Sequence, residues 1–372
     1  MIVERTGERG IALVVSLIGL IVVGALVTGV FASGYIEQRV GENTRWIERS
    51  FSAAEYGLSE TIAKWNTGVF NQLPVGGSAG VAGASPGGVG LYDGTVRRLS
   101  EALFLVQVTG GDPGGRARQP LAAFVKLQPL QIDIQAALTT RGQARVGGSA
   151  EIDGSDHQPW ADCPPAAGAV AGIRVPAGDD VTFQGTCAGA RCVTGNPQVL
   201  SDPSVSDATF YEFGDFNWDD LVAMASKVLT PGTYTGINPS VTGGECDVSV
   251  AGNWGSPLDP TSPCRSYFPI IYVPGSISIN GYAGQGLLLV EQNLRVQGRF
   301  QFFGIAIVKG TLETMGTGAH FTGAVLAANQ YIDETDVLGN AEINYSSCAV
   351  GRALQAGSPG AMIRSRGWMQ AY

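Results

Sequence analysis

The sequence predicts an α+β protein: a long N-terminal transmembrane and amphipathic helix, followed by a mostly β region that contains a parallel β-solenoid, or β-helix. Three observations predict this class. Residues 11–36 are apolar and carry no charge, apolar residues then recur at helical spacing as far as Trp65, and a later β-like segment repeats at a short period. The 53 glycines add the turns that a β region needs.

The apolar segment 11–36 follows a polar leader, residues 1–10, and no charge occurs until Glu37. A helix rises about 1.5 Å per residue, so the segment spans roughly 39 Å and can cross the ~30 Å core of a bilayer. The amphipathic continuation covers residues 37–66, because apolar residues recur there at steps of three, four or seven. They are Ile36, Val40, Ile47, Phe51, Ala54, Leu58, Ile62 and Trp65.

Several short motifs at this end of the chain carry a family resemblance. They are Arg9-Gly10 before Ile11-Ala12-Leu13, then Glu37-Gln38-Arg39, Asn43 and the run SFSAAEYGL at residues 50–58. The segment resembles the N-terminus of type IV pilin-like proteins, specifically minor pilins of the PilX type. The resemblance implies that a prepilin peptidase cleaves after Gly10 and that the new N-terminus, Ile11, is N-methylated.

The resemblance also implies location and partners. The chain would sit in the inner membrane as a single-pass protein with a periplasmic C-terminal region, and then in a pilus at the cell surface. Its partners would be the lipid bilayer, an inner-membrane assembly platform, and other pilins or pseudopilins. Major pilins carry a glutamate at the fifth mature position, where this chain has Val15. PilX-type proteins often lack that glutamate too, so the difference argues against the bulk subunit of a filament.

The apolar segment is also compatible in outline with a cleaved secretory signal or a plain single-pass anchor. An ordinary signal has an apolar core of about 7 to 15 residues and a cleavage site between small residues. The segment 11–36 is longer, and this favours the pilin interpretation or a plain anchor.

Composition excludes some classes of function. The net charge of -9 gives no electrostatic support to nucleic-acid binding.

All six cysteines lie far beyond the apolar segment, and an even number in an exported region suggests disulfides. Fifteen pairings are possible, and the sequence does not choose among them. We favour Cys187–Cys192 and Cys246–Cys264, which leaves Cys163–Cys348. Zinc is a poor alternative because no two cysteines form a CxxC pair, and neither of the only two histidines, His157 and His320, is near a cysteine pair.

Residues 67–135 are expected to form a linker and a β-hairpin. The segment 75–90 is almost wholly Gly, Ala, Ser and Val, which predicts a flexible linker. The β-like runs 102–108 and 121–135 flank a turn-rich segment and predict a hairpin where the helix meets the globular part.

Residues 136–350 are expected to form the solenoid. The β-like runs starting at Ile270, Leu287, Ile305 and Ala324 are spaced by 17, 18 and 19 residues. Each continues into a second β-like piece, starting at Ser276, Leu294, Leu312 and Tyr331, and glycines 286, 304 and 323 recur in phase. Such a period is typical of stacked β-coils. Residues 172–185 share the Val-Pro corner of residues 270–281 and predict an earlier coil.

Two further elements complete the predicted domain order. The segment 215–229 predicts an inserted amphipathic helix that covers a side or an end of the solenoid, because acidic residues precede an apolar stripe. The last residues, 351–372, predict a final strand or cap.

No catalytic residue, metal ligand or cofactor site is assigned. The clustered carboxylates fit structural roles better than catalytic ones, and calcium binding is at most an option for the run 333–336 because its spacing is irregular. These carboxylates are Asp153, Asp156, Asp162, Asp179, Asp180, Asp219, Asp220, Asp333, Glu334 and Asp336. We therefore expect a structural subunit that primes assembly or displays a surface at a filament tip, for example in cell adhesion. The alternative is a membrane-anchored extracellular β-helix that binds or cleaves polysaccharide.

Overall fold

The computed structural model describes residues 11–316, 318–330, 334–363 and 368–370. The class is α+β, with one long N-terminal helix ahead of a large β region. Helix α1 (Ile11–Ala63) has 53 residues and is about 80 Å long. It ends three residues before the predicted Asn66, whose side chain instead accepts a hydrogen bond from the backbone of Val69. The remaining helices are α2 (Thr67–Phe70), α3 (Ala208–Tyr211), α4 (Trp218–Ala223) and α5 (Ser347–Gly357).

The strands fall into an antiparallel sheet near α1 and a larger, mainly parallel set. In chain order they are β1 (Ser78–Ala84), β2 (Leu91–Arg98), β3 (Leu103–Gly111), β4 (Arg118–Leu127), β5 (Ala136–Thr140), β6 (Gln143–Val146), β7 (Glu151–Asp153), β8 (Ala171–Val175), β9 (Val181–Phe183), β10 (Val193–Thr194), β11 (Val199–Ser201), β12 (Glu212–Phe213), β13 (Phe216–Asn217), β14 (Lys227–Val228), β15 (Gly232–Tyr234), β16 (Val241–Thr242), β17 (Glu245–Cys246), β18 (Ile270–Val273), β19 (Ile277–Val290), β20 (Leu294–Val308), β21 (Leu312–Met315), β22 (Ala319–Ala327), β23 (Glu334–Val337), β24 (Glu342–Tyr345), β25 (Gly360–Met362) and β26 (Trp368–Gln370).

The antiparallel sheet has the order β1-β2-β3-β4, and both β25 and β26 pair with the far side of β4. The predicted hairpin is present, because Leu103 pairs with Lys126 and Gly111 with Arg118. The prediction of a flexible linker at 75–90 is wrong, since β1 pairs with β2 along its whole length. Backbone hydrogen bonds hold β1 in the sheet, and they do not depend on large side chains.

The parallel strands stack in a curled solenoid sheet whose register matches the predicted repeat. Ile270 pairs with Leu287, Leu287 with Ile305, and Ile305 with Ala324. The glycines of the repeat are also in register, as Gly304 pairs with both Gly286 and Gly323. The second β-like piece of the last repeat corresponds to β23, which begins at Glu334. The predicted start of this piece, Tyr331, lies outside the described residues.

The coils do not stack in chain order. On one face the order is β14-β18-β19-β20-β22-β5-β8-β11, so the early coils pack beyond the last of the late ones. Val325 pairs with Leu138, and Leu138 pairs with Ile173. The segment between β11 and β14 therefore returns the chain from one end of the solenoid to the other.

The inserted helix is shorter than predicted. α4 covers six residues, and Lys227 and Val228 belong to β14, which pairs with β18. A capping box between Asn217 and Asp220 fixes the start of α4. Trp218 donates a hydrogen bond to Glu291, and Lys309 lies 4.6 Å above the Trp218 ring, so this segment covers a side of the solenoid.

The C-terminal segment differs from the predicted strand or cap in that part of it is helical. α5 lies on the solenoid, and β25 and β26 then join the antiparallel sheet at the opposite side from β1. One apolar core fills the solenoid and reaches α5, and a second core lies between α1 and the antiparallel sheet. The strands that follow α1 and the last described strands of the chain thus belong to one sheet.

Candidate functional site: an exposed apolar helix

The N-terminal half of α1 is an apolar surface that no described residue covers. Residues 12–45 are all exposed, including Leu20 and Phe31 at 76% each. α1 is long and apolar enough to cross a membrane, and none of its most apolar 18-residue stretch is buried against other described residues. The exposed part projects about 50 Å from the rest of the chain.

The helix meets the β region at Trp46. Arg116, on the loop between β3 and β4, lies 4.2 Å from the centre of the Trp46 ring. Asp112 holds that loop by accepting hydrogen bonds from the backbone of Gly114 and Ala117 and from the Arg116 side chain. Burial acts to raise the pKa of Asp112, but these hydrogen bonds outweigh it and lower the pKa to about 2.

Beyond Trp46 the helix lies along β3 and runs in the opposite direction to it. Ser50 and Ala54 pack on Gly110 near the end of β3, whereas Trp65 contacts Phe104 at its start, with ring centres 5.2 Å apart. Gly110 has no side chain, and a β-carbon there would overlap the backbone oxygen of Ser50 and the backbone nitrogen of Ala54. The close packing of α1 on the sheet therefore depends on this glycine.

A tyrosine on the sheet also contacts the helix. Tyr92 donates a 2.6 Å hydrogen bond to Glu60, and its ring lies against Gly57. Burial, followed by the neighbouring carboxylate of Glu60, raises the pKa of Tyr92 to about 12. The phenol therefore stays protonated and remains a donor to Glu60 at neutral pH.

Asn71 connects the end of the helical region to α5. Its amide nitrogen donates to the backbone oxygens of Gln355, Ala356 and Ser358, and its amide oxygen accepts from the Trp65 indole at 2.8 Å. Asn71 is 6% exposed. This side chain ties the segment that follows α1 to the C-terminal end of α5 through buried hydrogen bonds.

The predicted cleavage site lies at the boundary of the described residues. Gly10 lies outside them, and Ile11 is the first residue of α1. Val15 is 62% exposed on the apolar surface. Cleavage and methylation stay predictions.

All six cysteines are paired in the structure. The bonds are Cys163–Cys348, Cys187–Cys192 and Cys246–Cys264, the pairs favoured from the sequence. The first joins the loop after β7 to α5 across 185 residues of sequence. It therefore ties an early coil to the helix that lies on the late coils.

Most of the candidate carboxylates have structural hydrogen-bond or ion partners. Asp153 accepts from Thr194 and Ser155 and contacts His157 at 2.7 Å; these bonds outweigh burial and lower its pKa to about 2. The others cap α5 and α4, accept a backbone N–H, or pair with arginines. They are Asp156 with Ser347, Asp220 with Asn217, Asp179 with Gly142, Asp162 with Arg265 and Arg352, and Glu334 and Asp336 with Arg145.

The remaining candidates do not converge on one place. Asp219 lies in the first turn of α4, and the backbone oxygen of Asp180 accepts from Ala144. His320 pairs with Glu342 at 2.9 Å on the solenoid surface. Asp333 lies outside the described residues, and the described residues contain no group of three or more His, Cys, Asp or Glu that could hold a metal ion.

The aromatic residues clustered in the repeat and around α4 are mainly core residues. Phe300 and Phe302 are buried and pack against Trp254, and Phe303 is buried beside Trp160. Around α4, Phe213 and Trp218 are buried. Sequence reasoning missed Asn71, Gly110 and Asp112. A single asparagine, glycine or aspartate gives no periodic signal, although the segment from Asp112 to Arg116 is visibly a turn.

No protein-family model and no curated protein matches the sequence. Among solved structures, the chain is similar to the competence-associated pilin ComZ from Thermus thermophilus at 12% identity. The alignment covers 85% of this chain and 95% of that one, with a TM-score of 0.22. A likeness this weak carries no conclusion about function.

Proposed function

We propose that this chain is a minor, pilin-like structural subunit of a type IV pilus or a related secretion or uptake filament. One observation carries the proposal: the exposed, charge-free part of α1 continues without a break into the part that packs on the antiparallel sheet. A membrane-sized apolar rod is thus rigidly joined to a folded β region. This arrangement suits a subunit that stands first in a bilayer and later in a helical filament core.

The apolar surface of α1 needs a cover in each state. Apolar area costs about 25 cal/mol per Å² when it faces water. Before assembly, lipids of the inner membrane would cover residues 12–36. After extraction by an inner-membrane assembly platform, the helices of other pilins or pseudopilins would replace the lipid.

A minor role follows from Val15 and from the bulk of the β region. Valine at this position cannot neutralise a neighbour's charged N-terminus in an apolar core, and an unpaired buried charge is costly. The region after Asn66 is also about 306 residues long, which is bulky for a subunit that repeats at every step of a filament. We therefore propose that the chain primes assembly or occupies the tip, and that its role is structural and not enzymatic.

The primary test is N-terminal processing in the native host. Intact mass and N-terminal sequencing of the membrane fraction should show a chain that begins at N-methylated Ile11. Gly10→Leu should leave only the full-length chain, whereas Gly7→Leu, the same exchange at the other leader glycine, should be processed. A wild-type chain that begins at Met1, or beyond residue 30, would contradict the proposal.

The minor role has its own test. Quantitative proteomics of sheared filaments should find this chain at a small fraction of the main subunit. Deleting its gene should reduce assembly or adhesion and leave the main subunit in the cell. A chain that dominates the sheared material would contradict the minor role, and release of products from polysaccharide by the purified chain would favour the membrane-anchored β-helix.

A further inference from the structure

Strand β1 is a free sheet edge without the usual protection. It pairs with β2 on one side, and within the described ranges no strand pairs with its other side. Its sequence, SAGVAGA, contains no charge and no proline. Natural proteins usually block such edges with charged residues, proline or a bulge, because an open edge is a template for another strand. β1 has none of these features.

The backbone groups available at this edge can be identified. Ser85 donates its N–H to the oxygen of Gly90, which sets one rung of the β1–β2 ladder. Rungs alternate along an antiparallel pair, so Ala79, Val81 and Gly83 bond to β2. The N–H and C=O groups of the alternate residues face outward; these residues are Ser78, Gly80, Ala82 and Ala84, and all four are exposed.

A second copy of this chain cannot pair its β1 symmetrically here. α1 runs opposite to β3, and β1 and β3 share one direction because both are antiparallel to β2. An antiparallel β1–β1 pair would therefore point the two apolar helices in opposite directions, which one membrane cannot accommodate. In a parallel β1–β1 pair related by a two-fold axis, each residue would lie opposite the same residue of the other copy. The outward N–H and C=O groups of two such residues would face each other in positions where they do not hydrogen-bond. The occupant is therefore not the β1 strand of a second copy.

A positive charge near this edge, unpaired among the described residues, indicates which residue type the docking segment would carry. Arg97 pairs with Ser78 across β1 and β2, is exposed, and has no ion-pair partner in the described part of the chain. The nearby Asp93 is already paired with Arg118 at 2.6 Å. Small side chains on β1 give an incoming segment open access, as a β-carbon at Gly80 would meet nothing within 4 Å.

We propose that β1 is a docking edge that accepts an extended segment of another protein as an added strand, with an acidic residue beside Ser78 and Arg97. Main-chain hydrogen bonds supply the affinity in this mode of recognition, and side-chain pockets add little. The proposal rests on the proposed function only through the anchoring of α1 in one membrane. It does not depend on filament assembly.

The test uses the full chain in detergent micelles with a synthetic probe, the acetylated and amidated peptide Thr-Val-Thr-Val-Thr-Val-Glu. Hydrogen–deuterium exchange of segment 75–90, read by mass spectrometry, should slow several-fold at about 1 mM peptide. Ala82→Pro should abolish the protection, because it removes an outward N–H that β2 does not use. Thr95→Lys, one strand further in, is the matched control and should keep it.

Further outcomes keep the proposal falsifiable. If Ala82→Pro fails to fold, Gly80→Lys places a blocking charge on the same edge. Replacing the terminal Glu of the probe by Lys should weaken binding about two- to fivefold, and Arg97→Gln should remove that difference. Three results would overturn the proposal. They are no protection by the peptide, equal protection in the wild type and the edge variants, and protection of segment 75–90 that rises with protein concentration in the absence of peptide. N-terminal processing is measured separately, so its failure would leave this result interpretable.

Discussion

Replacing Gly110 by alanine tests whether α1 is held on the sheet by close backbone packing. The new β-carbon would overlap backbone atoms of Ser50 and Ala54 and would lie 3.0 Å from the carbonyl carbon of Ala53. None of these atoms can rotate away, because all belong to the helix backbone. Carbon atoms pack at about 3.5 Å, so the helix would have to move outward by roughly 1 Å.

The free-energy cost of Gly110→Ala has two parts. Overpacking in a closely packed site costs about 1–3 kcal/mol. The shift also stretches the 2.9 Å hydrogen bond from Ser50 to the oxygen of Ala117, which contributes about 1 kcal/mol. We expect Gly110→Ala to lower the free energy of unfolding by about 2–4 kcal/mol.

Urea denaturation of the full chain in detergent, followed by tryptophan fluorescence, measures this loss. Gly80→Ala is the matched control, since the new methyl group there meets nothing within 4 Å. The control should stay within about 0.5 kcal/mol of the wild type. Equal losses in the two variants would refute the packing argument, and so would a Gly110→Ala protein as stable as the wild type.

Four further perturbations have defined outcomes. Ile307→Asp buries an unpaired charge in the solenoid and should prevent folding, as judged by circular dichroism of the purified chain; a folded variant would contradict the coil assignment. Replacing Cys246 and Cys264 by alanine should cost about 3 kcal/mol in urea denaturation, and free thiols in a non-reducing peptide map of the wild type would contradict the pairing. Asp112 has a folded pKa of about 2, below its ordinary 3.8, so it stabilises the fold above about pH 4 and loses that effect as the pH falls towards 2. The melting temperature of Asp112→Asn should therefore fall less than that of the wild type over this interval, and parallel curves would contradict this. Asn71→Ala should cost about 3 kcal/mol, because it leaves buried carbonyl groups unpaired, and a loss below about 1 kcal/mol would contradict its linking role.

The repeat could be predicted from the sequence because its apolar runs and glycines fall at one phase. The runs at Ile270, Leu287, Ile305 and Ala324 pair in the expected register. Gly304 also has a positive φ of 135° and lies against Ala353 of α5, so a side chain there would be strained as well as crowded. Such a periodic pattern is visible in a single sequence because the same steric constraint applies to the equivalent position of every coil.

The stacking order and the edge strand could not be predicted in this way. Coils with the same profile can stack in any order, and nothing in the apolar pattern of Leu138 or Ile173 distinguishes a neighbour of Val325 from a neighbour of Ile271. The segment 75–90 looks like a linker because its side chains are small, yet its pairing with β2 depends on the backbone alone. Asn71 and Gly110 act through single contacts, which no periodic pattern reveals.

The order of the elements also determines how a displacement of α1 would reach the rest of the chain. α1 lies along β3, so an axial pull on the helix loads the hydrogen bonds of β3 to β2 and β4 in shear, where many rungs resist together. The pull passes to α5 through Asn71, and α5 is tied to an early coil by the Cys163–Cys348 bond. The exposed helix is therefore coupled to both the late and the early coils.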